Sequence, residues 1–385
     1  MRILQVVQKP QRRGAEVFAN QLTQRLIKKG CEASIVYLYN YSGPGTLSLG
    51  SEDRMLNGRQ DHILERFPGW HPHLIIKLSR VIRDFQPDVI QLNGARTVKY
   101  GALVRFFHPQ KNWVVIYRNI GDPGQWIRGS LKRAFYRKFL MPNIDGIIAV
   151  SHAALESIRG FYNPAGPIVR IPTGFDETDV VPGGTRTRVR EQLDCNPDTP
   201  VLIYVGSLTQ EKRVDRLLRI VRKVAEHLPE LRVWLIGDGS MRQQLEGQSH
   251  DQRIDKNVRF LGTREDIASL LTAADLFVLT SDTEGIPASI LEAAFLEVPA
   301  LATRVGSISE CIRDGETGFL IPPQEEDLFV VHILRLLNGP AEKAMLGKQA
   351  RKWVQENFSM DLIASKYLDF YQNVLSRIRN GTDRE

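Results

Sequence analysis

Two sets of strand-length apolar runs alternate with amphipathic segments along this chain, and that alternation restricts the fold more than any other feature. The first set is 3–7, 33–37, 89–92, 113–117, 146–150 and 167–171; the second is 201–205, 232–236, 258–261, 276–280, 300–303 and 319–321. Strands buried on both faces read as continuous apolar runs, and parallel strands need long crossovers, usually helices. Phe18, Leu22 and Leu26 share one helical face, as do Val214, Leu217, Leu218 and Val221. The pattern predicts an α/β chain of two Rossmann-like, doubly wound domains facing a cleft, with ligands outside the carboxyl ends of the strands. Pro172, Gly174, Pro182, Gly183 and Gly184 punctuate the stretch between the two sets. The first domain is therefore expected over 1–172, a linker over 173–199 and the second domain from 200 to 355.

A chain of 385 residues, 42% hydrophobic and 25% charged, suffices for two ordinary cores. Cys31, Cys195 and Cys311 are far apart and in no metal-binding spacing, which fits a reducing cytoplasm. The chain opens on a strand pattern and has no apolar run of about 18 residues, so it is expected to be neither secreted nor integral to a membrane. Charge is lopsided. Residues 1–170 hold 25 Lys and Arg against 11 Asp and Glu, whereas the overall net charge is +7. A basic half calls for an anionic partner, and no nucleic-acid-binding motif accompanies it.

The stretch Ser281-Asp-Thr-Glu284-Gly-Ile-Pro-Ala-Ser-Ile-Leu-Glu292 carries the chemistry. Pro287 suits a first helical turn, where its missing N–H costs nothing. The N–H groups of Ala288, Ser289 and Ile290 would leave that helix end positive and ready for a diphosphate. Glu284 and Glu292 would flank it as acceptors for sugar hydroxyls. An anion seat with two hydroxyl acceptors reads as a nucleotide-sugar site; the plainer reading is a surface helix with two ordinary glutamates. In Gly206-Ser-Leu-Thr-Gln-Glu-Lys212-Arg213, Lys212 follows a strand and can neutralise a diphosphate leaving group, or be a solvated lysine.

With Pro299-Ala-Leu-Ala-Thr303, Gly306-Ser307, Asp314-Gly-Glu-Thr-Gly318, Leu235-Ile-Gly237-Asp-Gly239 and Ile171-Pro-Thr-Gly-Phe-Asp176, these motifs resemble the retaining glycosyltransferases of family four, of GT-B fold, over nearly the whole chain. The resemblance implies that Trp353 and a C-terminal helix over 356–385, centred on 362–374, cross back to the first domain. It implies that Glu292 holds ribose hydroxyls and Glu284 donor-sugar hydroxyls. Gly237, Gly285, Ile286, Pro287, Ser289 and Ile290 would line the donor, Lys212 would stabilise the leaving diphosphate, and the backbone at Arg264 would meet the nucleobase. Lys9-Pro-Gln-Arg-Arg-Gly14-Ala-Glu16 resembles a family turn in which Gly14 lets backbone approach donor or acceptor.

Two positions depart from the family pattern. Ser207 stands where relatives carry a diphosphate-binding Arg, and Arg213 is the nearest replacement. Arg118 stands where relatives often have a His near the reacting sugar; a guanidinium cannot act as a base. Arg118 enters as a catalytic candidate beside Lys212 and Glu284, and Asn93, Asn119 and Asp122 as acceptor contacts. A structural role at the strand end is the competing reading for Arg118.

Ile127, Leu131, Phe135 and Phe139 recur at steps of four, with Arg128, Lys132, Arg133 and Arg137 on the other side. Residues 126–140 either pack their apolar face on their own sheet or lie on an anionic membrane surface. His71 and His73 read as solvated. No Asp-x-Asp occurs, so no metal and no cofactor is expected, the nucleotide sugar being a co-substrate. The whole implies a metal-independent, retaining transferase of sugar from a nucleotide diphosphate, UDP by default, to a sugar or lipid-linked acceptor in polysaccharide, lipopolysaccharide or glycolipid assembly. It would be cytoplasmic, with a place on the inner face of the membrane. A sugar-nucleotide epimerase of the same fold and a catalytically silent binding subunit are the alternatives.

Overall fold

The computed structural model describes all residues except 12, 44, 60–70, 109–111, 122, 128, 163–165 and 380–385. The chain forms two compact units, Met1–Gly174 with Met360–Glu385, and Phe175–Ser359.

In the first unit the strands are β1 (Arg2–Val7), β2 (Glu32–Tyr39), β3 (Arg54–Gly58), β4 (Val89–Asn93), β5 (Val114–Asn119), β6 (Gly146–Ala149) and β7 (Ile168–Arg170). All are parallel, in the order β3-β2-β1-β4-β5-β6-β7. Helices α1 (Gly14–Lys28), α2 (Pro72–Phe85), α3 (Ala95–Phe107), α4 (Pro123–Trp126), α5 (Ser130–Phe135) and α6 (His152–Tyr162) connect them, and α5 runs on into a π-turn at Tyr136–Leu140. Alternate side chains of each strand go to opposite faces. Leu4, Val6, Ile90, Leu92, Val115 and Tyr117 pack beneath the α2–α3 layer. Ile3, Val89, Val114 and Ile116 pack on the other face with Phe18 and Leu22 of α1 and with Ile363, Tyr367 and Phe370 of the C-terminal helix Met360–Arg379. Edge strand β3 was not legible in the sequence: within Arg-Met-Leu-Asn-Gly only Leu56 is buried, so no apolar run marks it.

The second unit carries β8 (Val201–Val205), β9 (Arg232–Ile236), β10 (Val258–Gly262), β11 (Leu276–Leu279), β12 (Ala300–Thr303) and β13 (Gly318–Ile321), parallel in the order β10-β9-β8-β11-β12-β13. Its helices are α7 (Arg186–Gln192), α8 (Val214–His227), α9 (Arg242–Asp251), α10 (Ile267–Ala273), α11 (Ala288–Phe295), α12 (Ile308–Cys311), α13 (Glu326–Asn338) and α14 (Pro340–Phe358). The strand order reverses between β8 and β11, and ligands of doubly wound sheets bind at such switch points, beyond the strands' carboxyl ends.

Residues 175–199, expected as a linker, are built into this unit. Buried Arg190 of α7 donates to the carbonyls of Asn196, Pro197 and Thr199 at 2.7–2.9 Å, to Ala273 O at 3.0 Å and to Asp275 at 3.0 Å. A guanidinium with five donors can staple a turn rich in Pro to the sheet, which a count of Pro and Gly does not reveal. Trp353 likewise stays in the second unit, edge-on to Phe358 and beneath the Arg313 guanidinium, and the return to the first unit begins at Met360.

Candidate functional site

The loops after β8 and β11 leave the two strands that flank the switch point of the second unit. After β8 the chain runs through Gly206–Thr209 into a single 3-10 turn, Gln210–Lys212, and then α8. Tyr204 O–H donates to Ser207 O at 2.9 Å, and Leu208 N–H donates to Asp238 O at 3.0 Å. Gly237, with φ +129°, makes the close packing here possible: a Cβ on it would lie 1.9 Å from Gly206 O. Among the described contacts Gly237 thus shapes the loop that carries Ser207, while Ser207 Oγ lies 3.3 Å from Thr209 Oγ1.

Lys212 Nζ donates to both Glu284 oxygens, at 2.8 Å each, and Ser281 O–H donates to Glu284 Oε1 at 2.6 Å. The carboxylate is 7% exposed and the lysine 23%. Two residues that lie 72 apart in sequence therefore form one half-open charged centre at the switch point. The Glu284 loop is held from behind by Gly306 (φ +53°), whose absent Cβ would fall 1.9 Å from Glu284 O, and by Ser307 N–H, which donates to the same carbonyl at 3.2 Å. Thr303 O–H donates to Ser281 O at 2.6 Å.

Arg213, which the sequence offers as a second phosphate charge, is paired with two carboxylates of the same unit. Its guanidinium takes both Asp215 oxygens, at 2.9 and 3.1 Å, and reaches Asp282 at 3.0 Å. Arg216, buried, donates to Asp282 at 2.9 Å and to Thr280 O at 2.7 Å, and Thr280 O–H donates to Arg213 O at 2.9 Å. Asp282 N–H donates to Glu211 O at 2.8 Å. The carboxyl of Asp282 is pushed up by burial, but the bonds from Arg213 and Arg216 outweigh this and hold it below the ordinary range. Asp282, Arg216 and Gly306 were missed as site residues because each acts through contacts made far away in sequence, and Ser281 because its bond to Glu284 depends on the fold of the loop; the Ser281–Glu292 and Gly306-Ser307 motifs left the only trace.

Pro287 precedes the helix in extended backbone (φ −76°, ψ 119°), so α11 starts at Ala288, one residue later than expected. Ile290 N–H turns back to Pro287 O at 3.2 Å, which leaves Ala288 and Ser289 to lead the helix end. Gly285 is exposed, Ile286 and Ser289 half-buried and Ile290 buried in the core. Glu292 is half-buried, roughly 6 Å along the axis from Ala288. Arg264 forms a two-bond pair with Asp266, at 2.8 and 2.7 Å, and the neighbouring Gly262 O accepts from Gly237 N–H.

In the first unit Gly14 opens α1 on the surface, and a Cβ there would meet nothing within 4 Å. Glu16, in that first turn, is pushed above the ordinary carboxylate range by burial, opposed by the charges of Arg13, Arg118 and Lys9. Arg118 is 1% exposed. Its Nε donates to Tyr367 O–H oxygen at 3.1 Å, one terminal nitrogen donates to Thr173 Oγ1 at 2.9 Å, and the guanidinium lies 3.9 Å from the Phe18 ring centre. Its other terminal nitrogen has no hydrogen-bond partner among the described residues. The side chain is thus spent beneath α1 and the C-terminal helix. Asn93 donates to Gln5 Oε1 at 2.8 Å and accepts from Gln91 at 3.1 Å; Asn119 accepts from Tyr117 O–H at 2.8 Å and donates to Gly121 O at 2.8 Å. Both asparagines are buried. Asp122 lies outside the described residues. His71 Nδ1 accepts from His73 N–H, capping α2. No group of three His, Cys, Asp or Glu suited to a metal occurs among the described residues.

Two parallel doubly wound units, one with a charged centre at its switch point, define a GT-B protein. The comparisons with known proteins agree. Residues 185–353 match the model of glycosyl transferases group 1, and residues 12–179 match that of glycosyltransferase family 4. The chain belongs to glycosyltransferase family four. It is 28% identical to N-acetyl-alpha-D-glucosaminyl L-malate synthase of Bacillus anthracis, over 63% of this chain and 64% of that one. It is 26% identical to the GDP-mannose-dependent alpha-(1-6)-phosphatidylinositol monomannoside mannosyltransferase of Mycolicibacterium smegmatis, over 74% and 77%. Among solved structures, Anabaena HepE in complex with UDP superposes with a TM-score of 0.79 at 19% identity, covering 97% of this chain and all of the other.

Proposed function

We propose that this chain is a retaining, metal-independent glycosyltransferase that moves a sugar from a nucleoside diphosphate to an acceptor hydroxyl in polysaccharide, lipopolysaccharide or glycolipid assembly, in the cytoplasm. The observation that carries the reading is the Lys212–Glu284 centre at the switch point, next to the leading N–H groups of α11. Uridine is the default base, as in the UDP bound to HepE; the GDP-mannose dependence of the mycobacterial relative marks the other choice.

In this reading the diphosphate sits at the start of α11, Glu292 accepts from the ribose and Glu284 from the donor sugar. As the glycosidic C1–O bond breaks, its electron pair passes to the β-phosphate oxygen, whose growing charge Lys212 stabilises. The acceptor oxygen joins C1 from the face the diphosphate leaves, and its proton passes to the departing phosphate. No residue need act as nucleophile or base, which suits a chain with Arg118 where relatives carry His. The first unit is the acceptor side.

Turnover of a panel of nucleotide sugars tests the assignment. Lys212→Ala is expected to cost on the order of 2–4 kcal/mol, mostly in kcat, because its interaction strengthens in the transition state. Glu292→Gln is expected to act mainly on donor KM. A Lys212→Ala variant with near-normal kcat would sink the reading.

A further inference from the structure

The segment 126–140 packs only half of its apolar stripe on the first unit's core: Ile127 belongs to that core and Phe135 lies against it, whereas Leu131 and Phe139 do not. Ile127 is buried, but α5 buries none of its side chains; Leu131 is 87% exposed and Phe139 56%. Phe139 stacks on Phe135 with ring centres 5.7 Å apart, so the two form one aromatic surface. Around them Lys132, Arg133, Arg137 and Lys138 are exposed. The neighbouring helix α3, which packs against the π-turn, ends in Phe106 and Phe107, 55% and 59% exposed and edge-to-face with each other. Phe107 in turn lines one groove with Ile76, Arg80 and Arg83 of α2. The exposed phenylalanines among the described residues, 106, 107 and 139, all belong to this one helical layer.

Charge on the same layer has one sign. Residues 95–107 and 130–140, which form α3, α5 and the π-turn, contain seven Lys and Arg and no acid. Exposed apolar side chains among cations, with no acid interspersed, are unsuited to a solvated face and suited to the boundary between head groups and acyl chains. No described helix is long and apolar enough to cross a membrane. We infer that the α3–α5 layer of the first unit, with its π-turn, seats the protein on an anionic lipid surface, the aromatic and leucine side chains entering the acyl boundary and the cations meeting phosphate head groups. The inference rests on the surface of the first unit alone, so it can fail while the transferase reading stands, and the reverse.

The test is co-sedimentation of the full chain with vesicles of phosphatidylcholine alone or with phosphatidylglycerol added. Binding is expected only to the mixed vesicles and is expected to weaken with salt. Charge reversal of Lys132, Arg133, Arg137 and Lys138 to Glu is expected to lower the partition constant by at least about 100-fold, since each cation near an anionic surface contributes on the order of a factor of five. Leu131→Ser with Phe139→Ser is expected to lower it by about tenfold while leaving the four cations in place. Melting temperature and transfer to a soluble acceptor should be unchanged in both variants, because these side chains are exposed and distant in sequence from Lys212 and Glu284. Wild-type protein that ignores mixed vesicles at low salt overturns the inference, as does binding that neither variant weakens. A concentration-dependent dimer that Phe139→Ser abolishes would also overturn it, by assigning the apolar patch to a second copy of the chain.

Discussion

Arg118 shows at the scale of one residue how position and role separate. Its place at the end of a buried strand was plain from the sequence, and a guanidinium there could face a ligand or the interior. Strand alternation decides it: Tyr117 and Asn119 point to the α2–α3 face, so Arg118 points to the face covered by α1 and the C-terminal helix. There it stacks on Phe18, bonds Tyr367 and Thr173, and its charge acts on the nearby Glu16 carboxyl. Arg118→Ala is expected to destabilise the protein by about 2–4 kcal/mol, since it empties a packed site and leaves buried hydroxyls unmatched. Arg118→Lys, which cannot make both bonds from a planar fork, should recover only part of that. Urea unfolding checks this; a loss below about 0.5 kcal/mol for Arg118→Ala would return the residue to the list of ligand contacts.

At the scale of elements, the joint between the β8 and β11 loops is a charge lattice. Arg213 adopts left-handed backbone (φ 49°), which costs a residue with a Cβ roughly 1–2 kcal/mol. Its bonds to Asp215 and Asp282 hold that conformation and tie the turn carrying Lys212 to the loop carrying Glu284. If the lattice positions the pair, Arg213→Gln and Asp282→Asn should each lower kcat several-fold, and the double variant should be no worse than the worse single one. Additive losses would show that the two side chains act separately. The lattice should be insensitive to pH over the working range. Burial pushes Asp215 up, yet the bonds from Arg213 and Arg219 win and bring it down to about 2. A depressed carboxylate contributes its stability in full above its unfolded value, about 3.9, and loses it only as pH falls from there toward the folded value. Wild type and Asp215→Asn should therefore differ in urea midpoint by a constant amount from pH 5 to 8 and converge in stronger acid.

For the whole molecule, each unit supplies one kind of surface. The second unit holds the charged centre, formed by residues that its strand order brings together, and the first carries the basic, aromatic layer. A lysine and a helix end can take over the neutralisation that other transferases assign to a divalent cation. Turnover is accordingly expected to survive excess EDTA unchanged; activity abolished by EDTA and restored by manganese or magnesium would rule that out.

The periodicity of apolar runs was enough to determine two parallel α/β units, because strands buried on both faces leave an unbroken apolar signature. The motifs around Lys212 and Glu284 were enough to place both residues on loops at strand ends. What the tertiary structure decided is everything that depends on which loops meet. The β8–β11 switch point joins Lys212 to Glu284, and Asp282 takes the guanidinium of Arg213 that a diphosphate was expected to claim. The fate of 175–199 was also decided there, since Arg190 finds its carbonyl partners only in the folded chain. The same holds for Leu131 and Phe139, whose spacing left both a packed stripe and an exposed one open. Periodicity reports which side chains share a face of a helix; whether another element covers that face depends on the packing of the layer around it.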